Sequence, residues 1–145
     1  MRIAICSSAL FARQSREIKE KLERMGFEVF LYPQRVEVNG KTIDVDEYYK
    51  MRKNNLTRKL LEIKRRLMDE HIEKIKRSDA VLVLNLDKGE NRGYVGGNTF
   101  LEMGIAYFLG KKVFMWKKPS EDLPYFEELM ALNPIFVEED LEKIG

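Results

Sequence analysis

The chain has 145 residues, a length typical of one domain that buries a sizeable core. Its 44% hydrophobic and 34% charged residues exclude a disordered chain, and a formal net charge of +2 argues against a dedicated binder of nucleic-acid polymers. The single cysteine excludes an intramolecular disulfide framework, and one cysteine with one histidine cannot make a Cys/His zinc site. No apolar run approaches the roughly 20 residues of a membrane span. We therefore expect a single cytoplasmic domain over residues 1–145, with no membrane contact, metal or cofactor.

Five apolar runs predict the strands of one sheet, at 2–6, 27–31, 80–85, 112–116 and 134–137. The run at 80–85 is apolar almost throughout, as is typical of a parallel strand that is buried on both faces. Helical patterns separate the runs, and crossovers between parallel strands are right-handed. We therefore predict an α/β, flavodoxin-like (Rossmann-like) fold with a doubly wound five-stranded parallel sheet in the order 2-1-3-4-5.

Helical periodicity fills the segments between these runs. An amphipathic stripe predicts a helix from about residue 13 to Met25 that Gly26 ends, and a longer stripe predicts helix over most of 48–77 with a break at Asn54-Asn55. Three shorter elements complete the prediction: a hairpin turn at Asn39-Gly40, a helix from about Asn98-Thr99 to Gly110, and a helix around Tyr125–Met130.

Two loops of the predicted fold converge at the point where the winding of the sheet reverses. Ligands bind there in sheets of this order, at the carboxyl ends of the first and third strands. Glycines in the second loop permit close approach of backbone to ligand, and helix amino-termini offer free N–H groups to an anion. Neither loop has the P-loop or dinucleotide spacing. The predicted ligand-binding residues are Cys6, Ser7, Ser8, Phe11, Asn85, Tyr94, Gly96, Gly97, Asn98 and Thr99.

Three side chains near this point each admit two interpretations. Glu102, in the first turn of its predicted helix, is either a catalytic carboxylate or a surface charge that stabilises the helix dipole. His71 is either a histidine satisfied within its helix or a proton donor to a leaving base, since its unperturbed pKa lies near neutrality. Cys6 ends a buried strand, which favours a packing role over that of a nucleophile.

The same region resembles the nucleoside 2-deoxyribosyltransferase superfamily, which also contains the 2'-deoxynucleoside 5'-monophosphate N-glycosidases. The resemblance covers the first strand with its Cys-Ser-Ser loop and nearly all of 70–116. It rests on Ser78-Asp79 before the third strand, the loop Tyr94-Val-Gly-Gly-Asn-Thr99, Glu102-Met-Gly104, Ala106 and Gly110-Lys-Lys-Val. A prokaryotic branch of the superfamily has a Tyr-(Ile/Val)-Gly-Gly-Asn-Thr loop of this kind.

The resemblance implies a role for each matching residue. Glu102 would attack the anomeric carbon of the sugar, and a second base or water would then discharge the glycosyl-enzyme intermediate. Ser7 and Ser8 would hold the sugar or its 5'-phosphate. Asn98 and Thr99 match the small or polar residues that precede the catalytic Glu.

Three positions depart from the family pattern. In the hydrolase branch an arginine closely follows the serine of the first strand, whereas here Arg13 is the first cation after Ser8. His71 stands where many members carry an Asp that helps to position the nucleophile or the base. Phe100 replaces a small residue, and we expect it to narrow the sugar pocket. These departures bear on which substrate the protein takes.

Two functions of different classes follow. The first is an enzyme that transfers or hydrolyses the N-glycosidic bond of a small-molecule nucleoside or nucleotide, with Glu102 and His71 as its catalytic residues. The second is a non-catalytic nucleotide-binding or sensing module on the same fold. A third hypothesis is a structural or defence-associated protein whose dimer surface is the function. Base release that depends on Glu102 distinguishes the first from the others.

Charge and apolar patterns also predict self-association. Residues 50–77 carry eleven basic and four acidic side chains, and residues 119–145 carry one basic and eight acidic. These segments are either solvated faces or surfaces that pair with each other. The helical stripe of 48–77 and the apolar run 105–109 offer surfaces to a second copy. We therefore expect a homodimer or a dimer of dimers.

Overall fold

The computed structural model describes residues 1–145. Its strands are β1 (Arg2–Cys6), β2 (Glu28–Phe30), β3 (Arg35–Val38), β4 (Lys41–Asp44), β5 (Ala80–Val83), β6 (Lys112–Met115) and β7 (Ile135–Phe136). Its α-helices are α1 (Ala12–Arg24), α2 (Val45–Asn54), α3 (Arg58–Arg77), α4 (Gly97–Phe108) and α5 (Phe126–Ala131). Short 3-10 helices cover Ala9–Phe11 and Leu141–Lys143. None of the helices is both long enough and apolar enough to cross a membrane.

Five of the strands form one parallel sheet in the order β2-β1-β5-β6-β7. Because β3 and β4 belong to a separate hairpin, this is the predicted order 2-1-3-4-5, and the flavodoxin-like α/β prediction is confirmed. Apart from β1, the strands are one to two residues shorter than the apolar runs that predicted them. The run at 80–85, for example, leaves the ladder after Val83.

The two faces of this sheet bury two separate apolar clusters, because neighbouring side chains of a strand point to opposite faces. Ile3 and Ile5 of β1 face α1 and pack with its Leu22. Ala4 and Cys6 face the other way and lie in the cluster that includes Met103 of α4. All four residues of β5 are buried, as the near-continuous apolar run predicted.

A third apolar cluster joins the hairpin to α2 and α3. The hairpin turn is formed by Asn39 and Gly40, both with positive φ (52° and 77°), as expected for an Asn-Gly turn between antiparallel strands. Val36 and Val38 pack beside Leu60 of α3 in this cluster. The broad apolar stripe of α3 is thus covered partly by the hairpin within the chain.

Helix α4 begins earlier than the sequence indicated. Gly96 is its N-cap and Gly97 its first residue, so Glu102 lies in the second turn and the prediction of a first-turn carboxylate was wrong. The helix ends as expected, because Gly110 has a positive φ of 72° and the Lys111 N–H donates to the Ala106 carbonyl. Glu102 is buried at this position, not exposed on the outer face of the helix.

Candidate active site

The loop after β1 is fixed by a network of hydroxyl groups. Ser7 Oγ lies 2.8 Å from the Tyr32 hydroxyl and 2.9 Å from Ser15 Oγ, and Tyr32 OH also donates to the Ser8 carbonyl. Ser8 Oγ accepts from the Leu10 N–H and caps the 3-10 helix that follows. These bonds hold the loop after β1 against Ser15 of α1 and Tyr32, which follows β2.

The loop between β5 and α4 is tied to the strand next to it. Asn85 donates from Nδ2 to the Lys117 carbonyl at 2.6 Å, and its Oδ1 accepts from the Lys117 N–H. The Gly93 N–H donates to Asp87 Oδ1 at 2.8 Å. Tyr125 OH donates to the Val95 carbonyl, which holds the end of the loop. These bonds set the position of the residues that precede α4.

A cavity of about 320 Å³ lies where the two loops meet. Nine of the predicted site residues line it: Ser7, Ser8, His71, Tyr94, Gly96, Gly97, Asn98, Thr99 and Glu102. The other three do not. Phe11 is buried in the 3-10 helix, Asn85 is buried with its amide committed to backbone groups, and Cys6 lies beneath the cavity against His71. The cavity therefore stands at the predicted reversal of the winding.

Glu102 and His71 face each other at the floor of the cavity. Glu102 Oε2 lies 3.5 Å from His71 Nε2, and the two side chains are only 5% and 2% exposed. The Cys6 sulfur lies 3.7 Å from the same nitrogen of His71. Both polar side chains line the cavity, so a bound molecule reaches them from that side.

Burial controls the charge of this pair. It raises the pKa of the Glu102 carboxyl to about 8, although the positive charge of Lys64 acts in the opposite direction. It lowers the pKa of His71 to about 4, and the charge of Lys74 lowers it further. Glu102 therefore carries the proton near neutral pH, and the unprotonated imidazole of His71 is the base beside it.

Three cations that the sequence did not indicate as site residues also line the cavity. Arg52 and Lys53 come from α2, and Lys64 comes from α3. No carboxylate lies within ion-pair distance of any of them. The Arg52 guanidinium lies over the rings of Tyr48 and Tyr49, at 5.1 and 5.4 Å from their centres.

A signal for one of these cations was present in the sequence. Lys64, Leu67, Met68 and His71 have the spacing i, i+3, i+4, i+7 and line the cavity from one face of α3. With His71 assigned to the site, the same face of the helix indicates Lys64. Burial and the charge of Arg52 lower the pKa of Lys64 to about 8. Arg52 and Lys53 had no such signal, because the position of α2 depends on the hairpin before it.

Phe100 lies away from this cavity. Its ring stacks on Tyr125 at 4.8 Å between centres, and it lines a separate apolar groove beside α5. The expectation that it narrows the sugar pocket was wrong, because Phe100 and Glu102 point to different sides of α4.

Comparisons with known proteins bear on the fold. No protein-family model and no curated protein matches the chain. Among solved structures, the 2-deoxyribosyltransferase of Bacillus psychrosaccharolyticus matches with a TM-score of 0.60 and 18% identity, over 100% of this chain and 93% of that one. The CMP N-glycosidase BcmB of Clostridium botulinum matches with a TM-score of 0.49 and 16% identity, over 94% and 87%. The first match shows that the chain shares the fold of a 2-deoxyribosyltransferase, which is the fold that the resemblance implied.

Proposed function

We propose that the protein breaks the N-glycosidic bond of a nucleoside or nucleotide, with Glu102 as the nucleophile. The observation that carries this proposal is the buried carboxyl of Glu102, which faces a cavity and has the imidazole of His71 at 3.5 Å. The similarity of fold to a 2-deoxyribosyltransferase supports the same chemistry. A carboxylate suits it because it stabilises an oxocarbenium-like transition state and then traps the sugar covalently.

The proton of Glu102 has a defined route in this mechanism. His71 Nε2 takes it, and the carboxylate attacks the anomeric carbon while the bond to the base breaks. The base leaves with the electron pair of that bond and receives the proton from His71. Water or a second base then attacks the glycosyl ester, which releases the sugar product and restores the carboxyl group of Glu102.

Polar groups of the cavity that have no hydrogen-bond partner indicate which other groups the substrate carries besides its glycosidic bond. Asn98 Oδ1 is buried and accepts no hydrogen bond, so it is suited to a sugar hydroxyl. Arg52 Nε is buried without a partner, and the cations Arg52, Lys53 and Lys64 have no carboxylate within ion-pair distance. Cations of this kind favour an anionic group such as phosphate. We therefore favour a nucleoside monophosphate over a nucleoside.

One observation favours a second function, a non-catalytic nucleotide-binding module. A carboxyl group whose pKa is raised to about 8 is mostly uncharged near neutral pH, and it can then donate a hydrogen bond to a base without attacking the sugar. In that case nucleotides bind in the same cavity and leave unchanged.

A turnover assay separates the two functions. The protein is incubated with ribo- and deoxynucleosides and their 5'-monophosphates, and free base is followed by chromatography. We expect Glu102→Gln to reduce base release at least ~100-fold and to keep ligand binding, measured as thermal stabilisation. The matched control is Glu20→Gln, an exposed glutamate of α1, which should release base at the wild-type rate. Nucleotide binding without base release in the wild type would contradict the enzyme.

A second pair of variants tests the proposed phosphate contact. Arg52→Met should raise KM for monophosphates about tenfold, since one charge-assisted hydrogen bond is lost, and should leave nucleosides unaffected. Arg65→Met removes an exposed arginine of α3 that does not line the cavity, and it should change neither. An equal loss for nucleosides and monophosphates in Arg52→Met would contradict a phosphate site at this position.

We also propose that the protein forms a homodimer through α4. Leu101, Tyr107 and Phe108 of this helix are 47%, 56% and 85% exposed. Gly97 lines both the active-site cavity and the apolar groove between α4 and α5. A second copy seated on α4 would therefore lie against the rim of the cavity.

A further inference from the structure

Cys6, His71 and Glu102 form a compact set of metal-binding atoms. The Cys6 sulfur, His71 Nε2 and a Glu102 carboxylate oxygen all lie within 4.8 Å of one another. Two of the separations are shorter, 3.7 Å from sulfur to nitrogen and 3.5 Å from nitrogen to oxygen. All three side chains are buried. The sequence excluded a zinc site made from cysteine and histidine alone, and the fold adds a carboxylate to that pair.

We propose that these three residues bind a zinc ion. Zinc–sulfur, zinc–nitrogen and zinc–oxygen bonds of about 2.3, 2.0 and 2.1 Å at tetrahedral angles require ligand atoms roughly 3.3–3.6 Å apart. The sulfur–nitrogen and nitrogen–oxygen separations of 3.7 and 3.5 Å nearly meet this requirement. The sulfur–oxygen separation, at most 4.8 Å, is closed by a shift of the Glu102 carboxylate. A mixed thiolate, imidazole and carboxylate set selects zinc over magnesium or calcium.

The charges of the bound state balance. Zinc binds a thiolate, a neutral imidazole and a carboxylate, so the thiol and the carboxyl group each release one proton. The divalent ion and the two anions then sum to zero, which suits a buried position. Two cations act against the ion: the charge of Lys64 reaches Glu102 and the charge of Lys74 reaches His71.

The fourth position of the ion is open to the cavity. Cys6 lies beneath the cavity floor that His71 and Glu102 form, so the ion enters from the cavity. Water or a ligand group completes its coordination there, as in sites with three protein ligands. If Glu102 is the nucleophile proposed above, the carboxylate oxygen that attacks the sugar is the one that coordinates zinc. Zinc binding and base release therefore exclude each other.

Cobalt is the probe for the test, because a thiolate bound to Co²⁺ absorbs in the near ultraviolet. The chelator-treated wild type is titrated with Co²⁺ and then with Zn²⁺. We expect one equivalent of cobalt to produce thiolate charge-transfer absorption, and one equivalent of zinc to remove it. Cys6→Ser should abolish the absorption. His71→Gln and Glu102→Gln should weaken cobalt binding at least ~10-fold. Glu70→Gln, an exposed neighbour of His71, is the matched control and should bind as the wild type does.

Three single variants keep the test decisive if one of them fails to fold, which circular dichroism detects. Absence of the thiolate absorption in the wild type, or equal cobalt affinity in all folded variants, would overturn the zinc site. Base release is then measured with one equivalent of zinc. Thiolate absorption together with undiminished base release would support the metal site and contradict the catalytic assignment of Glu102, so the two failures are distinguishable.

Discussion

A buried carboxyl group gives the site its chemical character. Glu102 has the charge of Lys64 to favour its ionised form, but the loss of solvent outweighs that charge and raises the pKa of Glu102 to about 8. Burial has the opposite effect on His71, whose pKa falls to about 4. The proton therefore resides on Glu102 near neutral pH, and its transfer to His71 in the proposed mechanism costs free energy in proportion to the difference between the two pKa values.

The raised pKa of Glu102 has a measurable effect on stability. Below about pH 4.5 the group is protonated in both the folded and the unfolded chain, so its pKa shift has no effect. Between about pH 4.5 and 8 the unfolded chain loses this proton and the folded chain keeps it, so folded stability falls as pH rises. We expect Glu102→Gln to remove this loss and to be more stable than the wild type at pH 8, by roughly 4 kcal/mol.

The measurement is urea unfolding of both proteins at pH 5 and pH 8 with a chelator present. The pKa shift of His71 has the opposite sign, and because both proteins contain His71 it largely cancels from the difference. Glu20→Gln is the control and should follow the wild type at each pH. A Glu102→Gln advantage that is the same at pH 5 and pH 8 would contradict a raised pKa.

The residues that local motifs named lie at the cavity, whereas residues whose position depends on distant chain segments were missed or misplaced. Ser7 follows β1, and Asn98 and Glu102 lie in α4 after the loop that follows β5; all three line the cavity. Asn85 was also selected there, but its amide bonds to backbone groups of the neighbouring strand end instead of facing the cavity. That outcome depends on the register between β5 and β6, which local sequence does not contain.

Among the elements, the loop between β5 and α4 makes a close backbone approach to the strand end after β6. Gly93 has a φ of 58°, and a Cβ atom there would lie 2.9 Å from the Lys118 carbonyl oxygen and 2.9 Å from Pro119 Cα. Gly89, in the same loop, has the same φ of 58°, but a Cβ atom there would have nothing within 4 Å. The two glycines have the same φ and differ in their surroundings.

This difference gives a matched pair of substitutions. Gly89→Ala should destabilise the protein by roughly 1 kcal/mol, which is the strain of a left-handed conformation on a residue with a Cβ. Gly93→Ala should lose at least about 2 kcal/mol, because backbone atoms beside it must also shift. Urea unfolding of the two variants checks this. Equal losses would contradict the close approach of the loop to the strand end after β6.

The elements themselves were predictable because hydrophobic periodicity is a local property. The break between α2 and α3 and the hairpin at Asn39-Gly40 followed from it and from local turn residues, and the sheet order followed from the alternation of strands with helices. The start of α4 could not be predicted in this way, because its N-cap is Gly96, which has no side chain to mark the position. The contribution of α2 to the cavity was also hidden, since it follows from packing of the hairpin on α3.

At the scale of the whole molecule, the two charged segments do not pair with each other, and the apolar surface of α4 is exposed. No ion pair joins the basic segment 50–77 to the acidic segment 119–145. Helix α4 exposes the apolar side chains of Leu101, Tyr107 and Phe108, of which Phe108 is the most exposed, at 85%. Apolar burial contributes more to association than exposed ion pairs, each of which is worth about 0–1 kcal/mol. The α4 surface is therefore the better candidate for the dimer interface.

Light scattering at micromolar concentration tests this assignment. We expect the wild type to have twice its chain mass of 17.1 kDa in both low and high salt, because apolar contacts are not screened. Phe108→Glu should be monomeric, since it places a charge at the most exposed apolar side chain of the α4 surface. Leu56→Glu changes a side chain that is 55% exposed between α2 and α3, and it should remain a dimer. A wild-type monomer in both salts would contradict the dimer. Dissociation in high salt alone would instead assign the interface to the two charged segments, whose attraction salt weakens.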